Sequence, residues 1–170
     1  MRLGPIGFVG NSGAGKTTLI CRLVEHYRAT TGMRVGIIKH THHQVDPASR
    51  RGDTERFLSC GAHEAILAGN GEAVRWRLYD GDVIAAQWRF DDPRELLEHL
   101  ESEIVLVEGF KSLDAWPKFV VQNPARAIDP AELSGTVGVV SDTPLDGSLP
   151  QFRRDEIEAI AQFLDEVWRR

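Results

Sequence analysis

The sequence predicts an α/β fold in which strands and helices alternate and the strands stack into a mostly parallel, layered sheet. Short, fully apolar and β-branched runs such as Val35 to Lys39 and Ile104 to Val107 read as strands covered on both faces. Apolar residues at helical spacing follow the first such run and recur at the end of the chain. With 170 residues, 42% of them apolar and 26% charged, the chain is long enough for one packed core of ordinary composition. We therefore expect a single domain spanning residues 1–170, with a hairpin inserted at 72–91.

Leu3 to Val9 is expected to form a short buried strand that runs into glycine. From Lys16, the spacing of Leu19, Ile20, Leu23, Val24 and Tyr27 predicts a helix, closed by Gly32. Val35 to Lys39 forms the second strand, followed by a polar loop from His40 to Gly52 and a short helix from Asp53 to Cys60. Glu64 to Ala68 reads as a third strand. Val74 to Leu78 and Ile84 to Phe90 alternate in polarity, and the Asp80-Gly81 pair between them signals a hairpin turn. Pro93 to Leu100 is helical, and Ile104 to Val107, Phe119 to Val121 and Val137 to Val140 supply three more strands. The end is an amphipathic helix that gathers Ile157, Ile160, Ala161, Leu164, Val167 and Trp168 on one face.

Charge and cysteine content exclude several classes. The net charge of −5 argues against a basic nucleic-acid surface. The local basic excess, at Arg50, Arg51, Arg153, Arg154, Arg169 and Arg170, is too small for a duplex-binding face. Cys21 and Cys60 fall in predicted helices rather than in a spaced disulfide framework. No export pattern and no stretch long enough to cross a bilayer is present, so we expect a cytoplasmic protein away from the membrane. The chain strongly prefers arginine to lysine. Its lysines, Lys16, Lys39, Lys111 and Lys118, are therefore candidates for places where a compact ammonium is needed.

The segment Gly10-Asn11-Ser12-Gly13-Ala14-Gly15-Lys16-Thr17 fits G-x-x-x-x-G-K-[ST], with a strand before it and a helix starting at Lys16. Glycines let the backbone turn its amide hydrogens inward as an anion cradle, and the helix N-terminus adds partial positive charge. Lys16 is expected to reach the β- and γ-phosphates of a nucleotide and the Thr17 hydroxyl to bind magnesium, with Thr18 completing the loop. The motif makes the fold P-loop NTPase-type: three layers, a mostly parallel sheet and an antiparallel hairpin extension.

Magnesium at such a site needs a carboxylate at a neighbouring strand end. Glu108 closes the apolar run from Ile104 and is the candidate to hold the ion or orient an attacking water. Asp53 and Asp46 are alternative or additional carboxylates. His40, His42 and His43 form a dense cluster that reads either as a polar loop at the ligand-binding edge of the sheet or as a metal site. Asp142, after Val139-Val140-Ser141, is a candidate to accept hydrogen bonds from guanine, which would favour GTP over ATP; the alternative is a simple turn through Pro144.

These motifs together resemble the MobB family, the molybdopterin-guanine dinucleotide biosynthesis adaptor proteins. The resemblance rests on Asn11 to Leu19, Ile38-Lys39-His40-Thr41-His42-His43, Asp53, Gly61-Ala62, Leu106-Val107-Glu108-Gly109-Phe110-Lys111 and Val140 to Leu145. It implies a GTP-binding homodimer with at most feeble GTP hydrolysis. Such proteins assist the guanylyltransferase that joins GMP to molybdopterin. Nucleotide is carried on the P-loop, here Gly13, Gly15, Lys16, Thr17 and Thr18. Pro47-Ala48-Ser49-Arg50-Arg51 departs from the more lysine-rich family pattern, and the Trp76 to Phe90 hairpin is longer and more aromatic.

Trp76, Trp88 and Phe90 are expected to be exposed anchors for self-association or a partner, unless they pack beneath a helix. Two other functions use the same motif. A small-molecule kinase would need a basic lid, for which Arg50-Arg51-Gly52-Asp53 is the available stretch. A metal-delivery GTPase would carry its metal on the histidines.

Overall fold

A computed structural model describes residues 3–48 and 52–169. Met1, Arg2, Ser49, Arg50, Arg51 and Arg170 lie outside the described residues, and with Arg50 and Arg51 half of the stretch expected as a lid.

Among the described residues, nine strands form one sheet: β1 (Leu3–Val9), β2 (Val35–His40), β3 (Glu64–Gly69), β4 (Glu72–Tyr79), β5 (Asp82–Arg89), β6 (Ile104–Glu108), β7 (Lys118–Val121), β8 (Thr136–Val140) and β9 (Gln151–Phe152). Their order is β5-β4-β3-β2-β6-β1-β7-β8-β9. Pairing is parallel from β3 through β9 and antiparallel at β3–β4 and β4–β5. The helices are α1 (Lys16–Thr31), α2 (Asp53–Ser59) and α3 (Ile157–Trp168), with 3₁₀ turns at Pro93–His99 and Pro130–Glu132. This is the expected P-loop NTPase-type α/β arrangement.

The central strand β6 shows why continuous apolar runs were needed. Ile104 and Leu106 point into a core beneath the α-helices, whereas Val105 and Val107 point into a second core on the opposite face. The first core joins Leu19, Leu23 and Tyr27 of α1 to Ile160, Ala161 and Leu164 of α3. The Tyr27 hydroxyl donates to Ala161 O at 3.1 Å and ties the two helices. The second face is covered by the 3₁₀ turn, through Leu96 and Leu100, and by Phe110 and Trp116.

Two features differ from the sequence expectation. Asn70 and Gly71 both take left-handed φ, 54° and 74°, and join β3 to β4 by a two-residue turn. The inserted hairpin is thus the continuation of a three-stranded meander that begins at β3. The pair Asn-Gly was itself a hairpin signal in the sequence. The aromatic anchors also need correction. Trp76 is only 2% exposed in the first core and Phe90 only 9% exposed in the second. Trp88 stacks on His99 with ring centroids 4.2 Å apart. Their alternation gave each ring an inward direction, and both faces of the sheet offered something to pack on. The exposed large apolar side chains of this region are instead Leu78, Tyr79 and Ile84.

Candidate functional site

The P-loop lies between the C-terminal end of β1 and the start of α1, so its backbone is fixed at both ends by buried structure. Gly13 and Gly15 take φ of 75° and 87°, the left-handed conformation that a side chain resists. The loop is also braced from outside. Asn123 Nδ2 donates to Ser12 O at 3.0 Å, and Asn11 Nδ2 donates to Arg126 O at 2.8 Å. The Arg154 guanidinium donates to Ala14 O from Nη2 at 3.2 Å.

Lys16 folds over the loop it follows, donating from Nζ to Gly10 O and to Asn11 O, each at 3.0 Å. Burial pulls its pKa below the ordinary value and the neighbouring Lys39 adds to this, against Glu108 and Asp53. Next to it the Thr17 hydroxyl donates to Glu108 Oε2 at 2.9 Å. The other Glu108 oxygen accepts from Lys39 Nζ at 2.6 Å, and Lys39 Nζ also lies 2.6 Å from Asp53 Oδ2. Parallel pairing sets this up, because β2 and β6 run side by side with Lys39 opposite Glu108. Burial acts to raise the Asp53 pKa, but the Lys39 hydrogen bond and charge outweigh it and hold the carboxyl below the ordinary 3.8. On Lys39, burial is likewise outweighed by the two carboxylates, and its pKa is raised.

A cleft of about 1080 Å³ opens over this cluster. It is lined by the P-loop, by Lys39 to His43 at the end of β2, by Asp53 and Arg56 of α2, and by Glu108 to Leu113. Three of the four lysines, Lys16, Lys39 and Lys111, line it. The fourth, Lys118, is buried and donates to Ser134 O at 2.9 Å.

The structure therefore brings Gly10 to Thr18, Glu108 and Asp53 together. Asp46 is not part of this group: its carboxylate accepts from Ala48 N at 2.9 Å, in a separate hollow with Gln44, Glu72 and Gln87. The three histidines do not converge either. The His40 ring lies against Phe110 at 4.4 Å and meets His42 edge-on at 4.7 Å. Burial, then His42 and Lys39, lower the His40 pKa. Among the described residues, no group of three or more His, Cys, Asp or Glu is arranged to hold a metal ion. The histidines are walls of the cleft rather than a metal cluster.

Asp142 follows β8, across the P-loop from Glu108 in the order β6-β1-β7-β8. Its Oδ1 accepts from Arg154 N at 3.0 Å and its Oδ2 from Arg154 Nη1. The hydrogen bond donated by the Arg154 main-chain N–H, opposed by slight burial and helped by the Arg154 side chain, keeps the Asp142 pKa low. Arg154 reaches Asp142, Gln122 O and Ala14 O at once, a role that sequence reading missed. Its basic character was visible; a contact between positions 14 and 154 was not.

Two hard-oxygen carboxylates and a hydroxyl, beside an anion cradle, fit magnesium with a nucleoside triphosphate. The fit has an internal witness, since the carboxylates already converge on a cation, the Lys39 ammonium. When bound, the ion would be held by Thr17 with Glu108 and Asp53 and would supply positive charge to offset that of the phosphates.

Comparison with known proteins gives a consistent result. The family model described as molybdopterin guanine dinucleotide synthesis protein B matches residues 5–142. The molybdopterin-guanine dinucleotide biosynthesis adapter protein of Escherichia coli K12 is 29% identical over 164 residues, covering 95% of this chain and 91% of that protein. The Haemophilus influenzae protein of the same name is 29% identical, covering 94% and 86%. A crystal structure of molybdopterin-guanine biosynthesis protein B superposes with a TM-score of 0.56 at 27% identity, covering 97% of this chain and 99% of the other. That of Bacillus subtilis MobB does so with a TM-score of 0.60 at 24% identity, covering 96% and 98%, which speaks to the fold.

Proposed function

We propose that this chain, which belongs to the molybdopterin guanine dinucleotide synthesis protein B (MobB) family, is a cytoplasmic GTP-binding adaptor that assists the attachment of GMP to molybdopterin. The partner in this reading is the molybdenum cofactor guanylyltransferase, with molybdopterin itself as a second contact. The observation that carries it is the meeting of Thr17, Glu108 and Asp53 at 2.6–2.9 Å from one another or from Lys39, directly beside the P-loop. A nucleoside triphosphate with Mg²⁺ is the ligand that such a group suits, and GTP is the form we propose because of Asp142 and the family.

Hydrolysis is slow at most in this reading. Glu108 is the candidate to orient an attacking water, yet both its oxygens are engaged, one by Thr17 and one by Lys39. A carboxylate so held is a poor general base. The kinase alternative needs a lid and an acceptor site, and metabolite-dependent ATP consumption would favour it. Among the described residues, no helix is long and apolar enough to cross a membrane.

Calorimetric titration with GTP and ATP in magnesium tests the reading. We expect clear preference for GTP, and we expect Asp142→Ala to reduce that preference at least about tenfold, the scale set by one lost charged hydrogen-bond pair. Equal or tighter ATP binding by the unaltered protein would overturn the GTP assignment. Selectivity unchanged by Asp142→Ala would move base recognition elsewhere.

We further propose a homodimer formed through the β5 edge. That strand ends the sheet, and Leu78, Tyr79 and Ile84 are exposed on it and on β4. Light scattering at micromolar concentration should give twice the monomer mass. A monomer there rules the arrangement out.

A further inference from the structure

We infer that the Lys39 ammonium holds the divalent-cation seat in the nucleotide-free protein, so that Lys39 and the metal compete for one pair of carboxylates. This rests on the P-loop reading above and adds an order of events to it. Lys39 Nζ sits 2.6 Å from Glu108 Oε1 and 2.6 Å from Asp53 Oδ2, so a single small cation bridges both groups. The remaining Glu108 oxygen takes the Thr17 hydroxyl at 2.9 Å. A magnesium ion on those three side chains requires oxygens at about 2.0–2.1 Å, which leaves no room for an ammonium between the same carboxylates.

Charge points the same way. Lys16 and Lys39 face Asp53 and Glu108 across the cluster, so these four side chains are already balanced. Arg56, 3.8 Å from Asp53, adds a further positive charge at the rim. A dication entering alone would meet three cationic side chains and a carboxylate pair that is already neutralised. The phosphates of a nucleotide reverse that balance and give Lys39 a new anion to turn to. Lys39 stands near the end of β2 and lines the same cleft as the P-loop, where a bound phosphate would be its alternative anion. Lys39 thereby couples metal entry to nucleotide arrival. Lysine suits this role: an ammonium is a compact point charge, closer to a metal ion than a planar guanidinium is, and the chain, which otherwise favours arginine, keeps lysine here.

The test is Mn²⁺ binding without nucleotide, read by electron paramagnetic resonance of the free ion. Lys39→Gln should bind Mn²⁺ at least tenfold more tightly than the unaltered protein, and adding Asp53→Asn should remove that gain. Lys39→Met decides by the same threshold if the glutamine variant does not fold. The unaltered protein offers a readout of its own. In ¹⁵N-lysine-labelled protein, the Lys39 ammonium signal should shift with GTP plus Mg²⁺ and stay in place with Mg²⁺ alone. An Mn²⁺ affinity within threefold of the unaltered protein in a folded Lys39 variant, or an ammonium signal that moves with Mg²⁺ alone, overturns the inference. Failure of the unaltered protein to bind GTP would instead sink the functional reading, so the two are separable.

Discussion

Replacing Lys16 with alanine is expected to weaken GTP binding at least about a hundredfold while leaving the fold in place. The size follows from what is lost. A lysine that reaches two phosphates makes charge-assisted hydrogen bonds worth about 1.5–3 kcal/mol each, and every 1.4 kcal/mol is about a factor of ten. Structural cost is small because, among the described residues, Lys16 Nζ donates to Gly10 O and Asn11 O, carbonyls of a half-buried loop where water can take its place. Its burial already strains its charge, and Lys39 repels it. Losing that ammonium relieves both. Calorimetry with GTP and a urea unfolding curve on the same sample check the prediction. Affinity within threefold of the unaltered protein would remove the P-loop from the account of function, whereas a collapse in stability would make the binding loss uninterpretable as a lost phosphate contact.

How far the site could be read in advance depends on where its contacts lie along the chain. The P-loop is local: nine consecutive residues with a strand before and a helix after, all legible from glycine spacing and apolar period. Glu108 was legible for a related reason, as the polar residue that ends the apolar strand β6. The choice between Asp53 and Asp46 was not, because it turns on the direction of the chain after β2. Asp53 starts α2 and is drawn to Lys39, while Asp46 closes its own turn on Ala48. The two-residue strand β9 has no room for a period and passed unseen. Burial of Trp76 and Phe90 was likewise a tertiary outcome: alternation sets which side a ring faces, not whether another layer covers that side. Lys39 is the instructive case. Scarcity of lysine marked it as unusual, but the two carboxylates it joins are 14 and 69 positions away, and only the parallel pairing of β2 with β6 sets one of them opposite.

Gly10→Ala is expected to damage stability and GTP binding together, unlike the change at Lys16. Gly10 leaves β1 immediately beside the end of β7, where β1 and β7 pair in parallel through Val9 and Val120. A methyl group on Gly10 would stand 2.3 Å from Val121 O and 3.4 Å from the Ala14 side chain. The first contact is with backbone inside the sheet, so no side-chain rotation relieves it. Either β7 moves away from β1 or the first residue of the P-loop moves out of register. Forcing a methyl into packed surroundings costs about 1–3 kcal/mol, and more where backbone must shift. The same displacement turns the loop amides away from the positions where phosphate oxygens would sit, and Lys16, which is anchored on Gly10 O, moves with them. GTP affinity should fall at least about tenfold, with the urea midpoint lowered in the same sample. Loss of stability with unchanged affinity would show that the cradle tolerates a displaced Gly10, and that the close approach to Val121 serves the sheet alone. Loss of affinity with unchanged stability would mean that the loop, rather than β7, absorbs the methyl.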